Sequence, residues 1–326
     1  MSSTAAAKGD SVPSPPHAVL RRKGKGSRSS DVHRRQQALM GWFFTCPALL
    51  FVALVTLFPI GFAVLLSFEN VNVTGNGFQL QGLTTANYSL VLSNSMWHYA
   101  MGFTIFYTIV TVSVEVVLGT IIALALERMV RGRGWMMALL LIPWSMITVI
   151  SATLWKYIYD PSYGVADSIF GFLGFGHPTI LGTNASTIIA MCVADIWKTT
   201  PFVAIIVLAG LVMLPGEIYE AAEVDGATGW TTFWKITFPL LRPTLALAVL
   251  FRTLQAIGLF DLPEVLTQGG PGHATTSLAV LAYQAMFKNL SFGPGAAVST
   301  TTAVVVVVGC LGFLRVFKSQ VGQEGN

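Results

Sequence analysis

The most constraining feature of this chain is a series of long apolar runs separated by short polar blocks. Over half of the residues are hydrophobic, only 10% are charged, and the mean hydropathy is +0.66. A soluble domain carries about 25% charged residues, whereas a helical membrane span needs about 20 consecutive apolar residues. Because lipid offers the backbone no hydrogen-bonding partner, runs of this length must be helices. The sequence therefore predicts an all-α integral membrane protein.

Six transmembrane helices are predicted. Pro59 is expected to kink the first of them, and Gly258 and Pro263 are expected to interrupt the fifth before it reaches the outer surface. The predicted spans are about 40–67, 98–126, 136–158, 187–213, 244–266 and 297–317.

The positive charges predict the orientation. The N-terminal tail carries eight Lys and Arg residues, the loop between spans 2 and 3 carries three, and the segment between spans 4 and 5 and the C-terminal end carry two each. These make 15 of the 19 positive residues, whereas the loops on the opposite side carry only Lys288. Because positive residues are retained on the cytoplasmic side, both termini are predicted to be cytoplasmic.

Three regions are predicted along the chain. Residues 1–38 form a basic tail, rich in Ser, Pro and Gly in its first part, which is interpreted as disordered. The tail either sets the topology or binds anionic lipid. Residues 39–318 form the six-helix domain, and residues 319–326 form a cytoplasmic tail.

Catalytic and metal-binding signatures are not found in the sequence. It contains no GxxxxGK[ST] phosphate-binding loop, no HExxH and no GxSxG, and its five histidines are not paired at ligand spacing. Its three cysteines are not arranged as CxxC. Neither a catalytic residue, a metal site nor a cofactor is therefore predicted on this chain.

A polar block separates predicted spans 4 and 5. It reads Glu-Ala-Ala-Glu-Val-Asp-Gly-Ala from residue 220 and Ile-Thr-Phe-Pro-Leu-Leu-Arg-Pro from residue 236. Pro215 suits a helix start, and Gly226 suits a turn before a second helix over about 227–238. Asp225 is expected to cap that second helix, which Pro239 and Pro243 are expected to end. An ordinary amphipathic interfacial helix is the structural alternative.

This block resembles the EAA signature of the permeases of bacterial ABC importers. The resemblance implies the type I ABC importer permease fold, in which residues 215–243 contain a coupling helix that docks on a nucleotide-binding ATPase. Closing of the ATPase dimer would then move the spans. The implied coupling residues are Glu220, Ala221, Ala222, Asp225, Gly226 and Ala227.

Charged and aromatic residues within spans 2, 4 and 5 are candidates for the substrate path, because charge at membrane depth is costly. A sugar site needs flat apolar surfaces for ring faces and hydrogen-bonding groups for hydroxyls. The candidates are Trp197, Lys198, Arg252, Gln255, Phe260 and Asp261, and Glu115 and Asp195 are the candidates for buried charge pairing. Two alternatives remain open: Asp195 and Lys198 neutralise each other, or Arg252 is the structural partner of Glu115 or Asp195.

A second motif narrows the resemblance. Residues 260–272 read Phe-Asp-Leu-Pro-Glu-Val-Leu-Thr-Gln-Gly-Gly-Pro-Gly and are similar to a segment of the carbohydrate-uptake permeases that resemble the maltose permease. The Gly-Gly-Pro sequence is expected to form an outer loop that contacts a binding protein or caps the outer gate. The stretch 190–270 also looks like the first permease of actinobacterial trehalose importers. Unlike the maltose permease itself, this chain has short outer loops.

The resemblance implies a bacterial plasma-membrane permease for a disaccharide or oligosaccharide such as trehalose or a maltose-like sugar, with ATP hydrolysis on other chains. The implied partners are a second homologous permease, two ATPase subunits that bind ATP and Mg²⁺, an extracytoplasmic sugar-binding protein and membrane lipid, without nucleic acid. The alternatives are an ABC permease for another solute, such as glycerol-phosphate or a polyamine, a polytopic membrane enzyme, or an ion-driven carrier.

Overall fold

The computed structural model describes residues 27–74, 77–174 and 176–321, and most of them are helical. The chain divides into two compact units, residues 1–59 and 60–326. Five of the described helices are long and apolar enough to cross a membrane, and a sixth span results if one sharply bent pair is counted as one. The prediction of an all-α membrane fold is confirmed.

The first helix, α1, runs over Ser27–Ser67 and contains Pro47 and Pro59. Its start corrects the prediction of disorder for residues 27–38, while residues 1–26 lie outside the described part of the chain. Gln and Ala, which occupy positions 36–38, lose little side-chain freedom in a helix, so the helix extends beyond the apolar run.

A β-hairpin follows α1, where the sequence predicts only an outer loop. Strands β1 (Glu69–Thr74) and β2 (Gly77–Leu83) pair in antiparallel fashion and precede helix α2 (Ala86–Ser93). The buried Asn87 amide donates hydrogen bonds to the carbonyls of Ser67, at 3.0 Å, and Glu69, at 2.9 Å. This amide fastens the base of the hairpin to α2.

Helices α3 (Ser95–Glu127) and α7 (Asn184–Val212) form the centre of the second unit. Thr104, Thr108 and Thr111 satisfy their buried hydroxyls on carbonyls one turn earlier in α3. A Cβ atom at Gly119 would lie 2.7 Å from Cγ1 of Val203, so the glycine allows a close approach of the two backbones. Small residues serve this purpose between membrane helices.

Predicted span 3 is wrong as a single helix. It consists of α4 (Arg133–Ser145) and α5 (Thr148–Ile158), which are bent by 90°. Pro143 has no N–H donor and its ring disfavours a helical turn around it, and the helix ends two residues later, where Met146 is extended. The short helix α6 (Val165–Phe172) follows.

The polar block contains helix α8 (Gly216–Val224) and the start of a second helix. This second helix is continuous from Gly229 to Ile257: α9 (Gly229–Thr232), a π-helical turn (Phe233–Thr237) and α10 (Phe238–Ile257). The prediction that Pro239 and Pro243 end it is therefore wrong. The π turn ends at Thr237, two residues before Pro239, and accommodates a residue that lacks an N–H donor.

Span 5 breaks at Gly258, as predicted. The short helix α11 (Asp261–Leu266) follows, and Pro263 lies inside it rather than interrupting the chain, because a proline in the first turn of a helix loses no hydrogen bond.

The last elements are α12 (Leu278–Tyr283), a π-helical turn (Gln284–Lys288) and α13 (Phe292–Val321). The final helix thus includes residues 319–321 of the predicted tail, and residues 322–326 lie outside the described part.

The Gly-Gly-Pro loop is folded into the second unit rather than standing free. Ala274, Thr275 and Thr276 behind it are fully buried. The Tyr99 hydroxyl donates to the Ala274 carbonyl at 3.1 Å, and the Leu278 N–H donates to the Thr104 hydroxyl at 3.1 Å. The loop is therefore packed on α3, which the sequence does not indicate.

Candidate functional site

The turn after α8 has the geometry of a Schellman motif. Gly226 has a φ of 73°, and its N–H donates to the Glu223 carbonyl at 3.0 Å. The Ala227 N–H reaches back to the Ala222 carbonyl at 2.9 Å. A positive φ at this position is readily adopted only by glycine, so the predicted turn at Gly226 is confirmed.

The caps around this turn differ from the prediction. Asp225 is the C-cap of α8, and Thr228 caps the next helix by accepting a hydrogen bond from the Thr231 N–H at 3.3 Å. Three residues separate Asp225 from Gly229, the first residue of the later helix, and Thr228 occupies the capping position directly before that helix.

The predicted coupling residues divide between two sides of α8. Glu220, Ala221, Asp225 and Gly226 are exposed and Ala227 is half-buried, whereas Ala222 is buried. Of the two alanines, only Ala221 therefore lies on the exposed side of α8. The exposed part is acidic and small, so it is available to another chain.

A hydrogen bond connects α8 to the base of span 5. The hydroxyls of Tyr219 and Thr237 are 3.2 Å apart, and Thr237 is buried in the π-helical turn. A displacement of α8 would therefore act on the helix that continues to Ile257.

An aromatic cluster surrounds this base. The ring centroid of Trp234 lies 5.8 Å from that of Trp230 and 5.2 Å from that of Phe238. The ring of Phe233 also contacts that of Trp234, with centroids 5.1 Å apart.

A buried cluster of charges joins α3, α7 and α10. Arg252 donates two hydrogen bonds to Glu115, from Nε to Oε2 and from Nη2 to Oε1, the latter at 2.8 Å. Nη2 also lies 3.1 Å from Oδ2 of Asp195. The Thr199 hydroxyl donates to Oε1 of Glu115 at 2.6 Å, and Nη1 of Arg252 donates to Oε1 of Gln255 at 3.1 Å.

This geometry decides between the alternatives for Arg252. The guanidinium is the partner of both carboxylates, and the side chains of Arg252 and Glu115 are 2% and 0% exposed. Charges so far from water are tolerated only when paired and hydrogen-bonded. Arg252 therefore connects three helices and is a less suitable substrate contact than the sequence predicts.

The remaining path candidates are more accessible. Lys198 is half-buried, and among the described residues no carboxylate lies within 4 Å of its ammonium, so the predicted pairing with Asp195 is not formed. Gln255 and Asp261 are exposed, and Gln255 connects the buried cluster to the surface.

Trp197 lies apart from this group. It is two residues from Asp195, which corresponds to about 200° around a helix, and it is 39% exposed. Its ring makes an edge contact with Trp155 of α5, with centroids 5.6 Å apart. The structure thus does not bring Trp197 and the Arg252 cluster together.

Sequence reasoning missed two features near the path. The first is Thr199, whose hydroxyl satisfies Glu115. The second is Trp144, which stacks on Phe202 with centroids 5.6 Å apart, while Phe202 contacts Phe251 edge-on at 6.4 Å. The spacing of Asp195, Thr199 and Phe202 at one helical face was a usable signal for both.

Comparisons with known proteins agree on one family. Residues 115–318 match the model of the family described as binding-protein-dependent transport system inner membrane component. This range contains the buried charge cluster, α8 and the continuous helix from Gly229 to Ile257.

Two relatives resemble the chain over most of its length. The trehalose/maltose transport system permease protein MalF of Thermococcus litoralis is 43% identical over 71% of this chain and 78% of its own. The trehalose transport system permease protein SugA of Mycobacterium tuberculosis is 33% identical over 87% of this chain and 90% of its own.

The fold also has solved counterparts. A chain of a bacterial ABC transporter involved in the import of the acidic polysaccharide alginate superposes with a TM-score of 0.72 at 19% identity, over 90% of this chain and 99% of that one. This match shows the fold of an ABC importer permease. With its exposed acidic helix between two spans, and with residues 115–318 matching the family model, the chain belongs to the inner membrane components of binding-protein-dependent transport systems.

Proposed function

We propose that this chain is the membrane permease of an ATP-driven importer for a neutral disaccharide or oligosaccharide, of the trehalose or maltose type. It works with a second permease, two ATPase subunits that bind ATP and Mg²⁺, and an extracytoplasmic sugar-binding protein. The observation that carries the proposal is α8, an exposed acidic helix fixed to span 5 through Tyr219 and Thr237. The names of the relatives MalF and SugA support the sugar class.

The coupling role follows from the position of α8. The side chains of Glu220 and Asp225 are exposed and have no hydrogen-bond partner among the described residues, and the Gly226 turn connects α8 to the next helix. A partner ATPase that binds this surface can move the rigid helix Gly229–Ile257 by pulling on α8. The break at Gly258 then separates that movement from α11 on the other side of the span.

The charges favour a neutral solute. Arg252 is buried and its single positive charge faces two carboxylates, so it offers an anion no excess positive charge. The polar groups left accessible are Gln255, Lys198 and Asp261, of which the last two carry opposite charges. Such a set donates to and accepts from hydroxyl groups without a net charge.

An importer for a phosphorylated solute such as glycerol-phosphate is the second candidate. One observation favours it: the Lys198 ammonium has no carboxylate within 4 Å in the described part of the chain, so it can bind an anion. A polyamine importer is disfavoured because the same ammonium would repel a polycation.

The proposal includes an orientation in the bacterial plasma membrane. Both termini and α8 lie on the cytoplasmic side, since 15 of the 19 positive residues fall in the segments on that side of the spans. α6, α11 and the hairpin then face outward. Cysteine labelling from either side of right-side-out vesicles, at positions 220 and 172, tests this orientation.

The deciding experiment is ATP hydrolysis by the complete complex in proteoliposomes, with its binding protein and a panel of trehalose, maltose, maltotriose, glycerol-phosphate and spermidine. Stimulation by a neutral sugar supports the proposal. Stimulation by glycerol-phosphate alone would instead support the second candidate, and a chain that purifies without an ATPase subunit would contradict the coupling role.

A further inference from the structure

A separate cavity lies beside the break in span 5. Its volume is about 390 Å³, and its lining comes from Phe260 at the break, from α12 with its π-helical turn, and from α13. Ligand pockets usually range over about 300–1,000 Å³, so this cavity suits one small ring rather than a whole oligosaccharide. On the orientation proposed above it faces the outer side of the membrane.

Aromatic rings form much of its wall. The Tyr283 ring lies between two others, with its centroid 5.0 Å from that of Phe260 and 5.3 Å from that of Phe287. Phe287 is 60% exposed, so its ring is open to an incoming molecule. Flat aromatic faces of this kind bind the apolar C–H faces of pyranose rings.

Hydrogen-bonding groups border the same wall. The Tyr283 hydroxyl has no hydrogen-bond partner among the described residues and is not fully buried. Ser299 and Thr302 also line the cavity, and both donate to carbonyls of their own helix, which leaves their oxygens free to accept.

Lys288 does not line the cavity itself but lies over the ring of the lining residue Tyr283, where it supplies a further donor. Its ammonium lies 2.7 Å from Oε1 of Glu264 and 5.6 Å from the centroid of the Tyr283 ring. An ammonium has three donors, so two remain after the bond to Glu264.

We propose that this cavity is an outer subsite that binds one pyranose ring of the transported saccharide. The ring stacks against Tyr283 and Phe287, and its hydroxyls bond to the Tyr283 hydroxyl and the Lys288 ammonium. The inference rests on the proposed sugar transport. Because Phe260 belongs both to this cavity and to the predicted path, the subsite positions a sugar at the outer end of that path.

An anionic phospholipid is the competing occupant, and the charges argue against it. Lys288 is the only cation in the predicted outer loops, and Glu264 neutralises it. An anionic headgroup would therefore meet a balanced pair rather than a free positive charge. A sugar hydroxyl needs hydrogen-bonding groups but no net charge, and the cavity offers these.

The test is direct sugar binding to the complete transporter complex in phosphatidylcholine nanodiscs, without binding protein, by equilibrium dialysis with radiolabelled trehalose and maltotriose. Phe287→Ala and Tyr283→Ala should each weaken binding about tenfold, on the scale of a lost aromatic contact with its buried area. Tyr283→Phe should weaken it about threefold, because it removes only one neutral hydrogen bond. Phe172→Ala, which truncates another highly exposed outer aromatic, is the matched control and should change nothing.

The outcomes separate this inference from the transport proposal. Unchanged sugar binding in Phe287→Ala and Tyr283→Ala, with normal sugar-stimulated ATP hydrolysis, overturns the subsite and leaves the transport proposal standing. A wild-type complex that neither binds nor responds to any sugar overturns both. Loss of co-purifying phospholipid in Phe287→Ala, measured by native mass spectrometry, with sugar binding unchanged, assigns the cavity to lipid and also overturns the subsite.

Discussion

The buried charge cluster and the α8 segment handle charged side chains in opposite ways. Around Arg252, three helices satisfy every charge internally, and Glu115 is fully buried. On α8, Glu220 and Asp225 are exposed and the only bond to the neighbouring helix is one hydroxyl contact among the described residues. The first arrangement stabilises one chain, whereas the second leaves surface for another.

This difference predicts which property of the protein a substitution in each region will alter. A buried charge that loses its partner stays desolvated, so removing the partner lowers the free energy of unfolding. Replacing an exposed residue changes the stability of the protein little, so the effect of such a substitution appears in the activity of the complex. Substitutions in the two regions should therefore separate membrane abundance from coupling.

The largest effect is expected for Arg252→Ala. It leaves Glu115 and Asp195 buried without a counter-charge, which should destabilise the fold by about 3–5 kcal/mol. Thermal unfolding in detergent and the amount of protein in membranes measure this. Lys235→Gln is the matched control, since it removes an exposed cation from the same continuous helix, and an equal loss in both variants would contradict the structural role of the cluster.

A smaller loss is expected for Thr199→Val. The substitution keeps the shape of the side chain but removes the donor to Oε1 of Glu115, which should cost about 1–3 kcal/mol. Thr199→Ser retains the hydroxyl and should recover most of the stability in the same unfolding assay. If serine and valine behave alike, the hydrogen bond does not contribute.

Gly226→Val tests the other side of the comparison. A β-branched residue at a φ of 73° is strained by about 1–2 kcal/mol, and the strain falls on the turn that orients α8. The variant should reach the membrane at close to normal level but lose most sugar-stimulated ATP hydrolysis. Gly229→Ala, at a helix start without positive φ, should retain it, and full stimulation in Gly226→Val would break the distinction between the regions.

The smallest effect is expected for Tyr219→Phe. It removes one partly buried hydroxyl contact to Thr237, worth about 0.5–1.5 kcal/mol. Stability should hardly change, while ATP hydrolysis per transported sugar should rise because α8 is less firmly joined to span 5. Transport and hydrolysis measured in one proteoliposome preparation give this ratio, and an unchanged ratio would show that the contact does not transmit movement.

The sequence by itself determined the membrane class, the approximate spans and the turn after α8. Spans follow from composition, because a bilayer requires about 20 apolar residues whatever their neighbours are. The turn at Gly226 is also determined locally, because a helix that ends in a residue with positive φ favours glycine there, and a few adjacent residues are enough to recognise this pattern. The break at Gly258 was of the same kind.

Only the tertiary structure decided which charged side chains pair and which prolines lie at a break between helices. Arg252 is 137 positions from Glu115 and 57 from Asp195, so their pairing depends on helix rotation that no local pattern encodes. Pro143 lies two residues before the end of a helix at a 90° bend, while Pro239 lies within a continuous helix, where the π turn before Pro239 accommodates its missing donor. Local signals specify helices and turns, whereas long-range packing specifies the partners of their side chains.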